Sequence, residues 1–236
     1  MKIGKIGKCV ARLMEARGIA AIMEETLTKD PTAALCNNYN CGDCTRYRGK
    51  LERARLDQED FKLSAAAWEI SPHIEEVMDV LEGEGINNIE LDAESLTSSA
   101  EAIEVRRKLE RRGFEVSVLA DETWTSLDVE EGRKHLEKLV TLADTLGVSY
   151  VRIKPPRQDQ KENGFKMAIQ SLNALANSAA ENRKILLLEN SPESYGDTSK
   201  AYADLLTKVC SHCLRAAFNP ANFVQMGESP LYGVLR

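Results

Sequence analysis

The chain has 236 residues, room for one medium α/β domain and a small appendage. Its hydrophobic fraction of 43 % is mostly aliphatic, with only 6 % aromatic residues, which argues against an aromatic-rich all-β sandwich. A formal net charge of −6 without a dense basic tract excludes nucleic acid as an expected partner, and every apolar run falls far short of the roughly 20 residues of a membrane span.

Met1–Lys8 carries three lysines but no apolar stretch follows, so a cytoplasmic rather than a secreted protein is expected. Residues 1–60 read as a helical, cysteine-bearing segment. Val10, Leu13, Met14, Ile19, Ile22 and Met23 recur at helical spacing up to about residue 30, and Asp30-Pro31 breaks the pattern. A polar loop with Cys36, Cys41 and Cys44 follows, and Arg46–Asp60 is a charged connector.

The cysteines have the spacing Cys36-x₄-Cys41-x₂-Cys44. The Cys-x₂-Cys step lets two thiolates reach one ion. The longer pattern matches the plant-type ferredoxin spacing, which needs a fourth cysteine. Cys9 is the candidate, with Cys210-Ser211-His212-Cys213 as a second source. A zinc site, an iron–sulfur cluster and three reduced surface thiols all remain open; Cys210 and Cys213 themselves read as core or loop residues.

From residue 61 a repeating unit takes over. The sequence predicts strands at Lys62–Trp68, Asn88–Leu91, Glu115–Leu119, Tyr150–Ile153, Lys184–Leu188 and Leu214–Phe218. Between them it predicts helices at Ile74–Glu82, Ser99–Arg112, Val129–Leu146, Phe165–Asn182 and Ser199–Val209. Gly85, Gly113 and Gly147 fall where helices should stop. Regular βαβα order implies a parallel sheet covered by helices. No Gly-x-Gly-x-x-Gly loop follows the first strand, which disfavours a dinucleotide-binding fold. Polar residues cluster instead at the strand ends: Trp68-Glu69, Glu90 and Asp92, Asp121-Glu122, Arg152 and Lys154, Glu189-Asn190, Asn219 and Asn222. A barrel gathers such residues around one mouth. The plainer alternative is that each strand end is merely solvated. His73 reads as a helix-cap residue and His135 as a solvated one.

Lys184-Ile-Leu-Leu-Leu-Glu189-Asn190-Ser-Pro-Glu-Ser-Tyr195-Gly196-Asp197-Thr198 resembles the fifth-strand segment of the sugar phosphate isomerase/epimerase family, the xylose isomerase-like barrels. Phe218-Asn219-Pro220-Ala221-Asn222-Phe223-Val224-Gln225-Met-Gly227 resembles its sixth-strand segment. Weaker likenesses lie at Leu146–Arg152, for the fourth strand, and Ile86–Leu91, for the second. The resemblance implies an incomplete (β/α) TIM-type barrel of about six parallel strands over residues 61–236, with the family's seventh- and eighth-strand segments expected beyond residue 236. It also implies that Glu189 is a metal ligand and an acid/base, and that Asn219 stands where aspartate is frequent. Ser191 replaces a histidine found in some relatives.

Two readings follow. In the first, the protein is an isomerase or epimerase of a small sugar or polyol. Mn²⁺ or Mg²⁺ would sit at Glu189 and Asn219, and Trp68, Glu90, Arg152, Asn190 and Asn222 would contact substrate. Glu189 and Asn219 alone make a poor site for a hard cation that wants several oxygen ligands. In the second, the barrel is catalytically degenerate and serves as a binding or scaffold protein, with zinc or an iron–sulfur cluster at Cys9, Cys36, Cys41 and Cys44. Either way, an open barrel edge invites cover from residues 1–60, a partner chain or a second copy.

Overall fold

A computed structural model describes residues 63–123, 126–158 and 163–230. The expectations for residues 1–60, including Cys9, Cys36, Cys41 and Cys44, lie outside the described residues.

Six strands and six α-helices alternate along the described chain: β1 (Ser64–Ala66), α1 (Ile74–Glu84), β2 (Asn88–Asp92), α2 (Ser99–Arg111), β3 (Glu115–Ala120), α3 (Val129–Leu146), β4 (Tyr150–Ile153), α4 (Gly164–Glu181), β5 (Ile185–Glu189), α5 (Ser199–Val209), β6 (Leu214–Ala217) and α6 (Pro220–Gln225). All pairings are parallel and the sheet order is the chain order, β1 to β6. A doubly wound sheet reverses its order at a switch point. This one does not, so it is the wall of an incomplete (β/α) barrel. Successive helices α2 to α5 pack against one another in the same sequence.

The helix ends follow local chemistry. Ser98, Asp128 and Thr198 each accept a hydrogen bond from the backbone N–H three residues on, at 3.2, 2.8 and 3.2 Å, and so satisfy donors that a first turn leaves unpaired. α3 ends at Gly147, whose φ of 74° lies in the left-handed region, where a Cβ would clash with the backbone. The Arg106 guanidinium approaches the same helix end and donates to the Thr145 carbonyl at 3.0 Å.

Alternation along the strands divides the sheet into two faces. Ile89, Leu91, Leu119, Val151, Ile153, Leu186 and Leu188 are buried and form one core with Val77, Met78, Leu109, Leu136, Leu172 and Leu205 from the helices. The other face carries Ser64, Glu90, Arg152, Leu187 and Arg215, all at least partly accessible. Register places Ala66 beside Glu90, Ala120 beside Arg152, Arg152 beside Leu187 and Glu189 beside Ala217. The polar strand-end residues are thereby brought toward a common mouth.

Most elements differ from the sequence expectation by no more than two residues at an end, and two differences go further. β1 covers only Ser64–Ala66, because the chain turns into a short 3-10 segment, Ala67–Glu69, that carries Trp68. The Ala67 carbonyl accepts from the N–H groups of Ile70 and Ser71 and so ends the extended run. After β6, Pro220–Gln225 forms the unforeseen helix α6, with Asn219 as its cap and Pro220 at its first position, where a missing N–H costs nothing.

Candidate functional site at the barrel mouth

Arg152 leaves β4 at the centre of the mouth, and its side chain is only 14 % exposed. Each guanidinium nitrogen faces a different carboxylate. Nη1 donates to Glu189 Oε2 at the end of β5. Nη2 lies 3.0 Å from Glu122 Oε1, just beyond β3. Nε lies 3.6 Å from Glu90 Oε2 on β2, too far for a hydrogen bond, and is a buried donor without a partner. The Trp68 ring covers the guanidinium, with Cζ 5.5 Å from the ring centroid, a cation–π distance. Lys154, two residues further along, donates to Glu122 Oε2.

These contacts set the charge states. Burial pushes the Glu90 carboxyl above the usual carboxylate range, and the pull of Arg152 only partly offsets it. Burial also acts upward on Glu122, but Lys154 and Arg152 outweigh it and hold that carboxyl below its ordinary value. Asp92 is raised, chiefly by burial.

Glu189 is 7 % exposed, and both its oxygens are engaged. Oε2 takes the Arg152 bond, and Oε1 accepts from Asn219 Nδ2 at 2.6 Å. Asn219 Oδ1 points the other way and accepts from the N–H groups of Ala221 and Asn222 at 3.0 and 3.3 Å. The amide orientation is fixed on both sides, since a carboxylate only accepts and a backbone N–H only donates.

Asn190 and Asn222 are structural in this arrangement. Asn190 grips the Asn219 backbone, donating to its carbonyl at 2.9 Å and accepting from its N–H at 2.7 Å. Asn222 donates to the Asn190 carbonyl at 2.7 Å. Together they tie the end of β5 to the start of α6 and hold Asn219 against Glu189. The mouth thus brings Trp68, Glu90, Arg152, Glu189 and Asn219 together, while Asn190 and Asn222 face backbone.

Backbone hydrogen bonds tie together the loops that follow β4 and β5. Gln158 N–H donates to the Glu193 carbonyl at 2.9 Å, and Tyr195 N–H to the Pro156 carbonyl at 3.0 Å. Gly196 sits so close beneath Pro155 that an added Cβ would meet its Cγ at 2.7 Å. A cavity of about 260 Å³ opens elsewhere, beside Trp68 between α1 and α2, lined in part by Ser71, His73, Leu91 and Asp92. It does not reach Glu189, so the convergent polar groups, rather than the cavity volume, locate the candidate site.

Sequence reasoning missed two pairings. Glu122 joins the mouth through Arg152 and Lys154; its place after a strand was visible, its partners were not. His135 is not merely solvated: its Nε2 lies 2.8 Å from Asp121 Oδ2.

The donors around Glu189 do not fit a divalent cation. The two Glu189 oxygens and the Asn219 oxygen are already taken, and Glu90 and Glu122 are drawn to Arg152. No group of three His, Cys, Asp or Glu side chains among the described residues is arranged to hold a metal ion. No described helix is long and apolar enough to cross a membrane.

The sequence profile of the xylose isomerase-like TIM barrel matches residues 78–233, more than half of the chain. The chain belongs to that family. No curated protein matches the sequence. The probable 3-DHS dehydratase involved in petrobactin synthesis from Bacillus anthracis is similar in structure, with a TM-score of 0.63 at 17 % identity over 74 % of this chain and 69 % of that one. D-psicose 3-epimerase, crystallised in the presence of D-fructose, gives 0.59 at 13 % identity over 72 % and 69 %. A xylose isomerase-like TIM barrel protein from Mycobacterium smegmatis in complex with magnesium gives 0.55 at 18 % identity over 68 % and 64 %. At these identities the likeness is one of fold.

Proposed function

We propose that the barrel mouth binds a small sugar or polyol and that Glu189 moves a proton on it, in an isomerisation or epimerisation. The observation that carries this reading is the convergence on one mouth of Arg152 from β4, Glu189 from the end of β5 and Asn219 from the turn between β6 and α6. Proton transfer between adjacent carbons of a hydroxy-ketone needs a carboxylate near the C–H bond. It also needs fixed positive charge or N–H donors where an enediolate oxygen develops. Glu189 offers the first, and Arg152 with the Asn219 amide offers the second. Family membership and the D-psicose 3-epimerase likeness support the choice of reaction class.

The test is solvent-deuterium incorporation into a panel of free ketoses and aldoses, for the wild-type protein and for Glu189→Gln. Exchange lost in Glu189→Gln with ligand binding retained supports the reading. Exchange unaffected by the substitution sinks it.

A second reading, a binding barrel without turnover, is favoured by one observation: both Glu189 oxygens are engaged by protein donors. It predicts saturable ligand binding with no exchange in either protein.

A further inference from the structure

We propose that the Arg152 guanidinium fills the cation position of the barrel mouth, so that the mouth gathers its carboxylates and meets ligand oxygens without a divalent ion. The inference rests on the mouth being the site, and not on turnover there.

The geometry is that of a cation with its ligand shell. Three carboxylates from three parts of the wall, Glu90 on β2, Glu122 after β3 and Glu189 on β5, surround one positive group. A planar guanidinium can do this because its donors point in several fixed directions; an ammonium on the same stem is a point charge without that fork. Trp68 lies over the guanidinium, a cation–π contact that adds to its hold on the mouth and leaves the in-plane N–H donors for the oxygens around it.

The charge balance agrees. Glu90, Glu122 and Glu189 carry three negative charges when ionised, and Arg152 and Lys154 return two positive ones. The cluster is close to neutral before any ion arrives. A divalent cation would have to share its carboxylates with a guanidinium in contact with the same oxygens. That places like charges a few ångströms apart in a partly desolvated site, where their repulsion is strong. The first candidate ligand beyond Glu189, Asn219, presents N–H to the carboxylate and spends its oxygen on α6. A side chain turned that way reinforces an anion and does not chelate a cation. Burial is what pushes the Glu90 carboxyl up, and Arg152 offsets it only in part, in keeping with Glu90 being the member farthest from the guanidinium.

The test uses Mn²⁺ alone, followed by electron paramagnetic resonance and by melting temperature, on EDTA-treated full-length protein. The wild type is expected to show no Mn²⁺ site that Glu189→Gln removes. Arg152→Met, stripped of the shared cation, is expected either to bind Mn²⁺ at least about tenfold more tightly than wild type, or to melt lower than Arg152→Lys. Arg152→Lys keeps the charge and serves as the folded control should Arg152→Met not fold. A wild-type Mn²⁺ site abolished by Glu189→Gln overturns the proposal. So does an Arg152→Met protein that neither gains the ion nor melts below Arg152→Lys.

Discussion

His135 Nε2 lies 2.8 Å from Asp121 Oδ2, joining the second turn of α3 to the residue that follows β3. Thr123 supplies two more donors to the other oxygen, its N–H at 3.1 Å and its hydroxyl at 2.9 Å. Burial works upward on the Asp121 carboxyl, but His135 and Thr123 outweigh it and hold it below the usual aspartate range. A carboxyl depressed on folding contributes stability that is fully present above its unfolded pKa and is lost as pH falls through the folded one. Asp121→Asn should therefore lower the melting temperature near neutral pH, with the gap to wild type closing in acid below the ordinary aspartate range. Melting curves across pH 2–7 check this; a gap that widens in acid contradicts it. His135→Ala should cost about 1–3 kcal/mol near neutral pH by removing one bond to a buried charge.

Glu189→Gln places an amide opposite two donors. Arg152 Nη1 and Asn219 Nδ2 both need an acceptor, and a glutamine has only one oxygen. The substitution should destabilise by about 3–5 kcal/mol, the cost of stranding one member of a largely buried ion pair. Urea unfolding measures it, and a loss below 1 kcal/mol would show that the pair adds little.

Asn190→Ala leaves the N–H and the carbonyl of Asn219 without their partners. Two stranded groups at about 1–3 kcal/mol each set the expected loss. Asn190→Asp keeps the acceptor but aims a charge at the Asn219 carbonyl, so it should not rescue. Hydrogen exchange of the Asn219 amide gives a local readout that a general loss of stability would not single out.

Gly196→Ala tests the rim. Its methyl group would come within 2.7 Å of Pro155 Cγ, a ring held between β4 and the following loop. Overpacking of this kind costs about 1–3 kcal/mol, measured as a lowered midpoint of urea unfolding with an unchanged slope.

The cysteine segment yields a compositional prediction. If Cys9, Cys36, Cys41 and Cys44 hold metal, zinc, or iron with labile sulfide, is found in anaerobically purified protein and is lost in Cys41→Ser. Its absence from the wild type would leave the three thiols as ordinary reduced cysteines.

The strands and helices were legible because each unit carries its own signals: an apolar strand, an amphipathic helix and a stop. Val129–Leu146 and Tyr150–Ile153 have the predicted bounds. β1 was less legible, since nothing in Ser64–Trp68 marks where extension ends; a backbone turn at Ala67 decides it. α6 was signalled by Asn219-Pro220, which was read as part of a strand-end motif and not as a cap. The individual members of the mouth were visible as strand-end residues, but their pairing was not. Which carboxylates Arg152 reaches depends on register across β2 to β5, and residues up to 62 positions apart, Glu90 and Arg152, come together only once that register is set. The orientation of Asn219 is a similar case: its amide is turned by the first N–H groups of α6, which Ala221 and Asn222 present to its oxygen.

Because spatial order copies chain order, every strand between β2 and β5 finds both its sheet partners in the units immediately before and after it. Contacts between neighbouring units span only tens of residues, so little loop-closure entropy stands in the way of each addition. The wall can therefore assemble by accretion, each βα unit docking on the one already in place, including while the chain is still being made. The mouth is the exception: Arg152 must wait for Glu189, so the charged cluster completes only after β5 has docked.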